Sequence, residues 1–137
     1  KSMMTDEEFA EFVAPYEIEV LNSINDVPCF NVLHMCKWRL NLERYKDYPA
    51  RVLNWGVNEE NISLIEGREL FGHDKIYIGG LENRSGVMID GSLEDIKAET
   101  RKIINEFGRD KFIIGPDCTL TTDLPYERMQ AVVEACK

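Results

Sequence analysis

The chain has 137 residues and an ordinary apolar fraction of 44%, which sets the expectation of one folded unit rather than two domains or a disordered polymer. With 16 basic against 25 acidic residues its net charge is −9, which repels phosphate backbones; no basic, aromatic-rich run offsets it, so nucleic acid is not expected as a partner. No apolar stretch approaches the roughly 20 residues that span a bilayer, and the polar, acidic run from Lys1 to Glu8 does not read as a signal peptide, so no membrane is expected and the cytoplasm is the default location.

The first helix begins at Thr5, which with Glu8 has the spacing of a capping box. Phe9, Phe12 and Val13 form an apolar stripe that Tyr16, Val20, Leu21 and Ile24 continue at helical spacing. Pro15 has no N–H to donate and should kink or divide this helix, which ends around Asn25-Asp26, ahead of Pro28. The run Cys29-Phe30-Asn31-Val32-Leu33-His34 reads as a short strand. Leu42 to Pro49 holds a short helix, and a second strand runs from Arg51 to Trp55. Ile62, Ile65, Glu66 and Leu70 outline a helix closed by Gly72; the third strand, Lys75-Ile76-Tyr77-Ile78, then runs into a Gly79-Gly80 turn. After a loop, Ser92 caps a helix whose inner face is Ile96, Thr100, Ile103, Ile104 and Phe107, with Gly108 at its end. Lys111-Phe112-Ile113-Ile114 is the fourth strand, and Asp123 and Pro125 open a last helix lined on one side by Met129, Val132, Val133 and Cys136.

Strands alternating with helices imply βαβ units and a parallel α/β sheet. Four such units make an open sheet or half of a barrel, since a full barrel takes roughly 250 residues. In either case the active surface lies at the carboxyl ends of the strands. His34-Met35-Cys36 stands where the first strand ends, and strand alternation sends His34 and Cys36 to the same side. Cys118, in Gly115-Pro116-Asp117-Cys118-Thr119, follows the fourth strand and so shares that rim. Without a secretory signal, Cys29, Cys36, Cys118 and Cys136 read as reduced thiols or metal ligands rather than a disulfide framework. One imidazole and two thiolates suit zinc, and three protein ligands leave one tetrahedral position open for a substrate thiol. The same residues also fit a core histidine beside two inert thiols.

Several further residues have two readings. Gly79 and Gly80 permit close backbone approach and could line a ligand pocket, while Trp38 and Trp55 could wall a pocket for a flat cofactor or simply pack. Asp117 is either near the metal shell or a solvated loop carboxylate. His73 faces solvent at a helix end, and Glu59-Glu60 and Glu94-Asp95 suit helix N-terminal turns.

These features, in this order and over nearly the whole chain, resemble the uroporphyrinogen decarboxylase superfamily. Its His-x-Cys-Gly turn is similar to His34-Met35-Cys36, its Gly-Asn/Gly-Leu-Asp turn to Gly79-Gly80-Leu81-Glu82, and its Gly-Thr/Ser-x-Glu-Glu-Ile helix start to Gly91-Ser92-Leu93-Glu94-Asp95-Ile96. Ile113 to Cys118, followed by Leu124-Pro125-Tyr126-Glu127, resembles the segment before its final helix. In the cobalamin-dependent methyltransferases of the superfamily zinc is held by a His-x-Cys…Cys pattern, which His34, Cys36 and Cys118 match. The decarboxylases carry Gly-His-Gly near Asp117-Cys118-Thr119 instead. Two departures leave the substrate open: Lys37 stands where a glycine usually follows His-x-Cys, and Trp55 ends a strand where many relatives carry an acid.

The resemblance implies that residues 1–137 form a single C-terminal half of a TIM (β/α)8 barrel, about four parallel strands, of a protein about twice this length. It implies a zinc-dependent methyltransferase moving a methyl group between a corrinoid, carried by a partner protein, and a small thiol. A carboxy-lyase of the uroporphyrinogen decarboxylase type and a non-catalytic interaction fragment are the alternatives. An excised or proteolysed half-barrel would be inactive alone and, with apolar surface uncovered, would self-associate.

Overall fold

Three helices start at reciprocal capping boxes. Thr5 with Glu8, Ser63 with Glu66 and Ser92 with Asp95 each exchange side-chain and backbone hydrogen bonds, which satisfies N–H groups that have no partner within the helix. The computed structural model describes residues 4–25, 27, 30–59 and 61–137. Pro15 divides the first helical segment as expected: α1 spans Asp6–Phe12 and α2 spans Ala14–Ile24, with Pro15 in its first turn. The break also changes which residues are covered. Phe9, Val13, Ala14, Ile18, Leu21 and Ile24 pack around Tyr48 and Tyr45, whereas Phe12, Tyr16 and Val20 are exposed. Of the expected stripe, Phe9, Val13, Leu21 and Ile24 face this one core from both segments, while Phe12, Tyr16 and Val20 lie off it.

The strands are β1 (Val32–Met35), β2 (Val52–Trp55), β3 (Ile76–Leu81) and β4 (Phe112–Pro116), all parallel and in the order β1-β2-β3-β4. Asp26, Pro28, Cys29 and Glu60 lie outside the described residues, so the expected start of the first strand at Cys29 does too. A 3₁₀ turn, Leu42–Tyr45, occupies the first connection. The others carry α3 (Leu64–Phe71), a short α4 (Val87–Asp90) within the expected loop, and α5 (Leu93–Phe107); α6 (Tyr126–Ala135) follows β4.

Register sorts the strand residues onto two faces. Leu33, Leu53, Tyr77 and Phe112 share one row and pack with Trp55, Phe71, Ile96, Ile103 and Phe107 beneath the helices. His34, Asn54, Ile78 and Ile113 share the next row, on the opposite face. There Val32 is 49% and Ile113 51% exposed, so this face lacks the cover that the helices give the other. Four parallel strands with helices on one side only are the architecture of half a (β/α)8 barrel. Among the described residues no helix is long and apolar enough to cross a membrane.

The inner face of α5 is the expected set: Ile96, Thr100, Ile103, Ile104 and Phe107 are all buried. Two other helices differ. In α3 the buried residues are Leu64, Gly67 and Phe71, while Ile65 is exposed; the Ser63 cap starts the helix after Ile62 and sets its phase. In α6 the buried residues are Ala131, Val132 and Ala135, and Met129 and Val133 turn outward, because the close approach to α5 admits small side chains. Lys97 on α5 pairs with Glu134 on α6 at 3.0 Å. Arg128 of α6 donates to the carbonyls of Val87, Met88 and Gly91, completing the C-terminal end of α4.

Trp55 is fully buried, donates its indole N–H to the Ile62 carbonyl at 2.9 Å and lies against Phe71 and Tyr77. It is a core residue and does not wall a cofactor pocket at the rim; strand alternation points it to the helix side. Gly67 lies directly over this ring: a Cβ there would stand 2.3 Å from Trp55 Cη2. Helix propensity alone favours alanine over glycine by about 1 kcal/mol, but overpacking against a fixed ring costs about 1–3 kcal/mol. Gly67→Ala is therefore expected to lower the urea midpoint at unchanged slope; a raised midpoint would show that the indole yields.

Candidate metal centre

His34 is in register with Asn54, and its Nδ1 lies 2.5 Å from Asn54 Oδ1. Cys36 follows β1 by one residue, and Cys118 follows β4 by two. The two sulfurs, 82 positions apart in sequence, lie 3.6 Å apart. One ligand atom from each of His34, Cys36 and Cys118 can be chosen so that all lie within 4.8 Å of one another, a set able to hold a metal ion. Neighbouring strands are about 4.8 Å apart, so β1 and β4, three steps apart, would be separated by roughly 14 Å in a flat sheet. The sulfurs meet because the sheet curls and both side chains reach inward from its carboxyl end.

Asp117 holds that end together. It is fully buried; Oδ2 accepts from the backbone N–H of Asn58 at 2.8 Å and from its side-chain amide at 2.9 Å, and Oδ1 accepts from the Gly80 N–H at 3.0 Å. Its own N–H donates to the Leu81 carbonyl at 2.8 Å. The carboxylate thus ties β4 to the end of β3 and to the loop after β2. It is not the solvated carboxylate that was one reading of its place in the sequence. Burial pushes its pKa up, and the donors from Asn58 and Gly80 pull it back.

Gly79 and Gly80 lie within β3 rather than in a turn, at φ of 145° and 100°. The close approach they permit is to the protein itself. A Cβ on Gly79 would meet Asp117 Oδ1 at 3.4 Å, and one on Gly80 would stand 2.9 Å from Ile103 Cγ2 of α5. Gly80 also borders a cavity of about 140 Å³ between α3 and α5, lined by Leu64, Ile103 and Phe107 on the helix side of the sheet.

The two thiols at the rim are not equivalent. The Thr119 backbone N–H holds the Cys118 pKa below its ordinary value; burial opposes this, and Cys36 and His34 add to the lowering. Burial raises the Cys36 pKa, with Cys118 and Glu59 adding and Arg84 opposing. Glu59 pairs with Arg84 at 3.3 Å and does not start α3, whose cap is Ser63. Trp38 is exposed, with the Arg39 guanidinium 4.3 Å from its ring centroid, and His73 is exposed beside Glu69 at 3.2 Å. Glu94 and Asp95 lie in the first turn of α5 as expected.

Three asparagines matter here that the sequence reading passed over. Besides Asn54 and Asn58, Asn61 accepts from the Leu40 N–H at 2.7 Å and donates to the carbonyls of Gly56 and Lys37, which joins the loops after β1 and β2. For Asn54 a signal was available: an amide interrupts the apolar run Val52-Leu53-Asn54-Trp55.

A curled parallel sheet with helices on one face and a His/Cys/Cys cluster at its carboxyl rim defines a (β/α)-barrel class of protein. The family follows: residues 1–137 match the uroporphyrinogen decarboxylase (URO-D) model along their whole length, and the chain belongs to that family. Among solved structures it superposes on a methyltransferase from Methanosarcina mazei with a TM-score of 0.77 and 25% identity, over 96% of this chain and 37% of that one. The chain therefore spans little more than a third of that methyltransferase and fits a C-terminal half-barrel of the superfamily, near its methyltransferases. No curated protein matches the chain.

Because the thiolate is the reactive species, the lowered Cys118 is expected to be alkylated by iodoacetamide ahead of the more exposed Cys36 in metal-free protein near neutral pH. Peptide mapping by mass spectrometry reads the order, and Cys36 reacting first would show that exposure outweighs ionisation.

Proposed function

We propose that this chain contributes the metal site of a zinc-dependent methyltransferase that moves a methyl group between a corrinoid and a thiol. The observation that carries the reading is the convergence of one imidazole and two sulfurs, within 4.8 Å, at the carboxyl rim of a barrel-type sheet. The donor set fits: nitrogen and sulfur ligands suit zinc, whereas magnesium and calcium call for oxygens. His34 contributes a neutral nitrogen, and Cys36 and Cys118 give up their protons to bind. Zinc held there supplies Lewis acidity that keeps a substrate thiol ionised at neutral pH. His34, Cys36 and Cys118 would hold the ion, and with three ligands from the chain a substrate thiol could complete its shell. The corrinoid, carried by a partner protein, rests on family likeness, as does the choice of a small thiol as acceptor. Metal-free decarboxylation of a tetrapyrrole is the second reading, supported by the family as a whole; it gives the cysteine pair no task.

Metal analysis of protein purified without chelator separates the two, and about one zinc per chain is expected. Loss of a residue that only supports a metal ligand costs about 10–100-fold in affinity, so His34→Ala or Cys118→Ser should weaken zinc binding by more than roughly 100-fold. Unchanged stoichiometric binding in His34→Ala would sink the site assignment.

The uncovered face that carries Val32 and Ile113 is, in this reading, the surface on which the rest of a barrel closes. The chain on its own should satisfy it with a second copy, so light scattering is expected to report a dimer or larger, and a stable monomer at high concentration would count against it.

A further inference from the structure

We infer that Asn54 is the positioning residue of this centre: its side-chain amide fixes His34 as the Nδ1–H tautomer and leaves Nε2 as the nitrogen that binds the metal. The metal half of this inference rests on the function proposed above; the tautomer half stands on hydrogen bonding alone.

Asn54 is 9% exposed, in the middle of the sheet. One end of its amide faces the carbonyl oxygens of Ile78 at 2.9 Å and Pro116 at 3.4 Å. Carbonyls only accept, so that end must be the NH₂ group, and the assignment of the amide is fixed by its partners. The other end is then the oxygen, and it faces His34 Nδ1 at 2.5 Å. An amide oxygen also only accepts, so Nδ1 must carry the proton. A neutral imidazole has one N–H, which leaves the lone pair on Nε2. Parallel pairing of His34 with Asn54 holds both side chains on one face, so the contact comes from strand register and needs no loop.

The point has chemical weight because a histidine side chain free in water favours the opposite tautomer, with the proton on Nε2. Without an acceptor at Nδ1, the nitrogen needed for the metal would more often be protonated. Metal-binding histidines commonly show this arrangement, in which an outer partner takes the other ring N–H and sets the ring's orientation. Asn54 also ties three elements together, since it touches β1 through His34, β3 through Ile78 and β4 through Pro116. A shift of the strands relative to one another would therefore be felt at the imidazole.

The test is ¹⁵N NMR of the metal-free full chain with labelled histidine, at a pH where both imidazoles are neutral. There are two histidines, and His73→Gln identifies which signal belongs to His73. His34 is expected as Nδ1–H. Asn54→Ala should move it to predominantly Nε2–H with an unchanged far-ultraviolet spectrum and weaken zinc binding by about 10–100-fold. Asn54→Asp, which keeps an oxygen opposite Nδ1, should restore the Nδ1–H form and most of the affinity. A role in folding alone would lower stability and leave the tautomer untouched. His34 found as Nε2–H in the wild-type chain, zinc coordinated through Nδ1, or an Nδ1–H signal that survives in Asn54→Ala would each overturn the inference. If Asn54→Ala does not fold, the wild-type spectrum decides. Nδ1–H in a wild-type chain that binds no zinc would fail the functional reading and leave the assignment of Asn54 standing.

Discussion

A buried carboxylate governs the geometry of this molecule. Asp117 has no exposed surface, and taking such a group out of water is costly unless donors replace the lost hydration. The donors come from Asn58 and Gly80, on two other segments of the chain. The charge can be buried only if those segments meet, and once they meet the end of β4 is fixed against the end of β3. Cys118 is the next residue along. The anchored carboxylate thus fixes the backbone from which the Cys118 side chain projects.

The sheet divides its work between faces. On the helix side, Phe71, Trp55, Tyr77, Phe107 and Phe112 form a continuous run of edge-on and tilted ring contacts. Around the strand ends, besides Asp117, asparagine side chains carry the hydrogen bonding. Asn31 accepts from the Arg51 N–H ahead of β2, Asn61 serves the loops after β1 and β2, and Asn54 and Asn58 serve the carboxyl rim. Connections that turn sharply expose backbone groups without ladder partners, and asparagine can meet a donor and an acceptor at once. The aromatic layer supplies burial, and the asparagines fix the loops from which the rim residues project.

How far this was legible in the sequence follows from how local each feature is. α5 was readable to the residue because its cap, its period and its terminal glycine all lie within one short segment and agree. The alternation of strands and helices was equally plain, and the His-x-Cys spacing with a later cysteine marked the rim residues. Asp117, Asn54 and Gly80 were misjudged or missed because their partners lie 20 to 59 positions away, and nothing beside them in sequence announces those partners. The stripe around Pro15 was legible in part: the division at Pro15 and the inward Phe9, Val13, Leu21 and Ile24 hold, whereas Phe12, Tyr16 and Val20 lie off the face that packs. Of the two readings of Trp55, packing holds: a strand end says which residues are near the rim, whereas alternation decides which way each one points.

Sheet order here equals chain order, so each strand pairs with the one synthesised just before it and the hydrogen-bonded ladder can grow by successive additions with modest loop closure at each step. The sulfur pair does not share that property. One member follows the first strand and the other follows the last, so their meeting is among the most distant contacts the chain makes. A soft-cation site built from these residues would therefore be missing from any assembly of fewer than the four strands and would form only when β4 docks. Metal uptake by such a site would report that the fourth unit has joined the first, and the formation of no single strand would be enough.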